Sequence, residues 1–129
     1  LDISGVGAMI PRLIPQALIG HTYLFLIALM LLVIVPGQLG IHPVAVGTTL
    51  VATIVPAAVG LSTYTFALTI ICAWLLSNML SPFSALNLTL SGLSGKSTWY
   101  TGLKLNWRYA LVCLFLYAGM IVALGPVWD

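Results

Sequence analysis

The stretch Leu75–Ala85, LLSNMLSPFSA, lies inside a long apolar run and carries three serines, an asparagine and a proline. Its reading decides the fold. Pro82 has no amide hydrogen and its ring crowds the preceding turn, so a helix cannot pass through it undisturbed. Ser81, just before the proline, is biased away from helical angles. Read as one helix, Ser62 to Gly92 would be about 46 Å long, well beyond a bilayer core of about 30 Å. A break near 77–82 is therefore expected, with Ser77, Asn78, Ser81 and Ser84 gathered around Pro82. In an apolar medium an opened turn persists only where it is buried in protein or faces water or a ligand.

The flanking sequence sets that medium. Of the 129 residues 61% are hydrophobic and 5% are charged, far from the balance of a soluble domain. The chain reads as an all-α integral membrane protein. Its six charged residues, Asp2, Arg12, Lys96, Lys104, Arg108 and Asp129, avoid the most apolar runs. A net charge of +2 is too small and too scattered to point to nucleic acid. Cys72 and Cys113 sit in apolar runs and act as small hydrophobes.

Outward from the break, residues 1–16 form a pre-membrane segment without the basic start and small-residue cleavage site of a signal peptide. With Leu as its first residue, the chain is expected to be the later part of a longer protein. Residues 17–59 read as a helical hairpin with its tip at 36–43, where two prolines and two glycines fall in eight residues. Its first arm, Ala17 to Val35, reaches roughly 28 Å, whereas Val44 to Val59 is short for a span. Either two spans or a re-entrant hairpin satisfies the parity of the chain, and the short second arm favours the re-entrant form. Residues 60–93 form the broken transmembrane helix, 94–108 a basic loop, and 109–129 the last transmembrane helix, spanning Tyr109 to Leu124 and closed by Gly125-Pro126. Lys96, Lys104 and Arg108 place the loop in the cytoplasm and the C-terminus outside, with Trp99, Tyr100 and Trp107 as interfacial anchors.

The broken helix and the hairpin tip are two irregular elements close in sequence, the pattern of a transporter site between discontinuous helices. Neutral oxygens at the break can coordinate sodium, and the positive end of the half-helix starting near Phe83 can face an anion. No carboxylate lies in a span and only His42 is a candidate proton carrier, so sodium is preferred over proton as coupling ion. The main alternative is a non-transporting helical subunit or anchor whose polar residues hold helices together.

Rival motifs are weak. Gly92 to Thr98, GLSGKST, ends like a phosphate-binding loop, but Leu90 stands where the first glycine is required and no strand precedes it. Asn87-Leu-Thr89 matches a glycosylation sequon at membrane depth and reads as a chance match. His21 and His42 are not placed as a haem pair, and no catalytic Ser/His/Asp or Cys/His set can be argued, so the chain is not read as an enzyme.

GIHPVAVGTTL (Gly40 to Leu50), LLSNMLSPFSALNLTLSGLSG (Leu75 to Gly95), the basic loop and the final helix resemble the C-terminal repeat of the ion-transporter superfamily, which includes the divalent-anion/sodium symporters and the citrate and gluconate permeases. The likeness covers about residues 17 to 125. It implies one half of an inverted-repeat, elevator-type carrier for small organic anions. It also implies a tip of Gly40, His42 and Pro43 with Thr48 nearby, an unwound loop of Ser77, Asn78, Ser81, Pro82 and Ser84, and Na+ as the coupling ion, with no other cofactor. Ile-His-Pro stands where the best-known symporters have a Ser-Asn-Thr tip, and Ser-Pro replaces a paired-proline loop, so the substrate is not inherited from them. The expected partners are the lipid bilayer, the rest of the same transporter or a second subunit in an oligomer, and a small anionic substrate. The expected location is a prokaryotic inner (plasma) membrane.

Overall fold

The computed structural model describes residues 20–128, so the 1–16 segment and the start of the first apolar run lie outside the described residues. All regular structure among the described residues is helical, with no strand. Its elements are α1 (Thr22–Gln38), α2 (Pro43–Thr53), a 3-10 turn (Pro56–Val59), α3 (Thr63–Leu80), α4 (Ala85–Ser94), a π-helical turn (Tyr100–Lys104) and α5 (Leu105–Trp128). Two stretches, Thr63–Ser94 and Tyr100–Val127, are long and apolar enough to cross a membrane.

α1 and α3 run side by side in the same direction. Thr22 and Ser62 share one end of the bundle, and Gly37 meets Ser77 near the other. α5 returns antiparallel, with Gly125 near Ser62 and the preceding turn's Gly102 against Leu80. The core is the seam of these three helices. Phe25, Leu26, Leu29, Met30, Val33 and Ile34 of α1 are buried with Phe66, Ala73, Leu76 and Leu80 of α3 and Ala110, Cys113, Leu114, Ala118 and Ile121 of α5. The outer faces are equally apolar: Leu24, Leu32 and Val35 on α1, Leu75 on α3 and Val112 and Leu116 on α5 are exposed. A helix apolar all round calls for lipid or further protein on its outer face.

The hairpin tip is tighter than the sequence suggests. α1 runs on through Pro36 to Gln38, and only residues 39–42 form the bend. Pro36 stands in the last turn, and its carbonyl accepts the amides of Leu39 at 3.0 Å and Ile41 at 3.1 Å. With Gly40 N–H on the Gly37 carbonyl at 3.4 Å, this is a Schellman closure. Gly40 has φ of 89°, in the left-handed region that suits glycine. The second arm is shorter than 44–59: α2 ends at Thr53 after 11 residues, about 16 Å, and residues 54–55 are extended.

The break in the third segment lies at 81–84 rather than 77–82. Ser77 and Asn78 stay helical, and α3 stops at Leu80, with Ser81 at φ −66° and ψ 126° ahead of Pro82. The proline acts through the residue before it more than through the turn beneath it. The break is also off-centre. α3 alone measures about 27 Å, and α4 adds about 15 Å.

The 94–108 segment is not a loop. Gly95, with φ of 67°, caps α4, and by Thr98 the chain is helical again because Ser97 accepts the Tyr100 amide at both its carbonyl (3.0 Å) and its hydroxyl (3.3 Å). The final helix is correspondingly longer than 109–124, and Gly125-Pro126 lies within it.

One side chain closes the break. Asn87, fully buried, donates from Nδ2 to the carbonyls of Met79 and Ser81, each at 2.9 Å, and its backbone carbonyl accepts from Thr101 Oγ1 at 3.2 Å. Helix ends leave carbonyls without partners, and here a carboxamide from the next helix takes two of them. Replacing Asn87 with Ala should leave these carbonyls unpaired and lower stability by about 2 kcal/mol. N87D should cost more, since a carboxylate cannot donate. Unfolding of the wild type and both variants in a detergent titration checks this, and an unchanged N87A midpoint would remove Asn87 from this role.

Candidate functional site

The tip and the break face each other. Ser81 Oγ donates to the Gly37 carbonyl at 2.6 Å and accepts the Phe83 amide at 3.2 Å, so one buried hydroxyl ties α1 to the start of the break. Beneath it, the Ser77 hydroxyl occupies the space that a side chain on Gly37 would need. The Phe83 ring covers Gly40, its nearest atom 3.6 Å from where a β-carbon on that glycine would stand.

Beside this contact lies a cavity of about 460 Å³, lined by the tip (Gly40, Ile41, His42, Pro43), by Trp74 and Asn78 of α3, and by Ser81, Phe83, Ser84 and Ala85 of the break. Six of the nine residues singled out in the sequence thus line one space: Gly40, His42, Pro43, Asn78, Ser81 and Ser84. The other three do not. Ser77 and Pro82 are buried in the packing, and Thr48 lies on the far side of Pro43, over a second, apolar cavity walled by Gly47, Val51, Ile70 and Trp74. The Thr48 hydroxyl donates to the Val44 carbonyl at 2.9 Å, so its own helix satisfies it.

Two helix N-termini open on the cavity. His42 caps α2, with Nδ1 accepting the Val44 amide at 3.3 Å, and Pro43 takes the first helical position, where its missing N–H costs nothing. That bond assigns the proton of the neutral imidazole to Nε2, leaving a donor. Ser84 caps α4 by accepting the Asn87 amide at 3.3 Å. Among the described residues the amides of Ala85 and Leu86 and the carboxamide of Asn78 have no hydrogen-bond partner. No Asp, Glu, Lys or Arg among the described residues lines the space. Donors and the positive ends of two helices therefore converge where no fixed charge competes, which suits a small anion.

Trp74, Phe83 and Asn87 are not among the site residues to which the sequence points. Trp74 stands one helical turn before Asn78 and so shares its face, a signal available from spacing alone. Ser84-Ala-Leu-Asn87 has the spacing of a helix-start motif, yet that Asn87 reaches back to residues 79 and 81 depends on the angle of the break.

Comparison with known proteins returned no matching family model, no matching curated protein and no matching solved structure.

The Gly37–Ser77 contact gives a direct test. A β-carbon on Gly37 would overlap Ser77 Oγ but would stand 3.5 Å from Ser77 Cβ, an ordinary contact. G37A alone should therefore destabilise by about 1–3 kcal/mol through overpacking, whereas G37A/S77A should recover most of that loss. A double-mutant cycle on unfolding midpoints reads the coupling, and additive effects would mean the two residues do not touch.

Proposed function

We propose that this chain is the C-terminal part of a secondary-active, ion-coupled transporter of small organic anions, and that the cavity between hairpin tip and helix break is its substrate site. The observation that carries this reading is the convergence of the α2 and α4 N-termini on one uncharged cavity beside the unpaired carboxamide of Asn78. An anionic carboxylate there would accept from the Ala85 amide, from Asn78 Nδ2 and from His42 Nε2, while Trp74 and Phe83 cover its carbon skeleton. Roles follow from that arrangement: Asn78 and His42 recognise, Ser84 and Pro43 set the helix starts, and Gly40 lets the tip turn.

Sodium is the proposed coupling ion. Met79 and Ser81 carbonyls are already taken by Asn87, so coordination falls to other neutral oxygens. Gln38 Oε1, Ser77 Oγ and Asn87 Oδ1 are buried without a partner among the described residues. The second hairpin arm, about 16 Å long, is too short to cross a bilayer core of about 30 Å, which supports the re-entrant form. Alternating access of the elevator type requires the other half of the carrier. The basic end, carrying Lys96, Lys104 and Arg108, faces the cytoplasm of a prokaryotic inner membrane in this reading.

A second reading, a helical subunit whose polar groups serve packing, is favoured by the Ser81–Gly37 bond and the Ser77–Gly37 contact. The two separate at Asn78. In proteoliposomes of the full assembly, offered short mono-, di- and tricarboxylates under a sodium gradient, N78A should lose at least about tenfold in uptake with an unchanged unfolding midpoint. S81A should lose both uptake and stability, because Ser81 holds the tip. Wild-type uptake in N78A would overturn the site, and a drop in the N78A midpoint matching its loss of uptake would favour the packing subunit.

A further inference from the structure

Lys96, Lys104 and Arg108 are the only Lys or Arg among the described residues, and no Asp or Glu is there to offset them. All three gather at the end of the bundle where α4 gives way to the last helix. Lys96 Nζ lies 5.8 Å from the centre of the Tyr100 ring, and Lys104 Nζ lies 5.4 Å from the same centre. One turn further on, the Arg108 guanidinium lies over the Trp107 ring at 5.3 Å. The backbone holds Lys96 in place: its carbonyl accepts from Ser91 Oγ at 2.5 Å and its amide donates to Ser94 Oγ at 3.3 Å.

Two ammonium groups at one ring repel each other, and the ring offsets only about 0.5–1 kcal/mol for each at an exposed site. An anion between them would remove the repulsion. The surroundings decide its kind. Trp99 and Trp107 are 51% and 48% exposed, and Leu103 and Leu105 are exposed beside them. Free cations bordered by bare indoles and leucines fit a ligand with an anionic head and an apolar tail. A soluble polyanion would leave the indoles and leucines uncovered.

We infer that Lys96, Lys104 and Arg108 form a headgroup site for an anionic phospholipid, with Trp99 and Trp107 at the boundary between headgroup and acyl chains. The inference rests on the membrane reading of the two long apolar helices, but not on the transporter reading. Bound there, the phosphate bridges Lys104 and Arg108, one turn apart on one helix, and Lys96 closes it from the preceding turn.

The test is tryptophan quenching in phosphatidylcholine bilayers containing increasing fractions of brominated phosphatidylglycerol or, separately, brominated phosphatidylcholine. Each basic side chain near an anionic surface contributes roughly a fivefold factor. The wild type should therefore favour phosphatidylglycerol by about tenfold or more, and K96Q/K104Q/R108Q should bring the ratio close to one with helicity by circular dichroism unchanged. W99F/W107F should lose the phosphatidylglycerol-specific quenching, which locates it. Equal quenching of the wild type by both lipids overturns the site, as does a preference that survives in the triple variant. A preference abolished by millimolar inorganic phosphate reassigns the cluster to a soluble anion. Quenching by neither lipid removes the membrane reading along with the site.

Discussion

A helix that stops inside an apolar environment must find donors for its last carbonyls, because water is not there to supply them. In this chain the donor is the carboxamide of Asn87, which takes the Met79 and Ser81 carbonyls at once. Everything at the tip end of the bundle hangs from that junction. The Ser81 position fixed by Asn87 lets the Ser81 hydroxyl reach the Gly37 carbonyl, and that bond brings the hairpin tip to the break. The approach of Gly102 to the Leu80 carbonyl and to Asn87 seats the last helix on the same point. Three helices therefore meet around one buried amide.

The polar residues of the break divide into two sets with different work. Ser77 and Asn87 are buried and hold elements together, and Ser81 does so while also lining the cavity. Asn78 and Ser84, half-buried, line open space, and Ser84 also starts α4. A polar cluster in a membrane-type helix thus serves packing only in part, and the rest of it faces a cavity. Proximity in sequence mixes the two sets, since Ser77 and Asn78 are neighbours that point to opposite fates. The helical turn separates them, with about 100° between successive side chains.

Charge is segregated as sharply as polarity. The described residues hold no acid, and their three cations stand at one end among aromatic rings. The cavity at the tip draws its positive character from helix ends, whereas the basic end draws it from side chains. A fixed charge beside the cavity would set a preference by net charge alone; in the proposed site, backbone amides and a carboxamide would select by direction and distance.

The sequence by itself determined the all-helical apolar character of the chain, the existence of a break at Ser81-Pro82, a turn at Gly40, and the gathering of Lys96, Lys104 and Arg108. These are local consequences: apolar runs, a missing proline amide, a glycine that can adopt positive φ. It misjudged where local signals have conditional effects. Pro36 does not end α1, which runs on to Gln38 before it closes at Gly40, and the polar composition of 94–108 does not prevent helix because Ser97 supplies a start. Only the tertiary structure decided which side chains meet. That Ser81 bonds Gly37, 44 residues away, that Ser77 fills the space of a missing β-carbon, and that Thr48 stands apart from the tip depend on how α1, α2 and α3 pack. Apolar faces present on every side of a helix do not specify which one turns inward; the few polar and small residues do, and they act across distances in sequence that no local pattern spans.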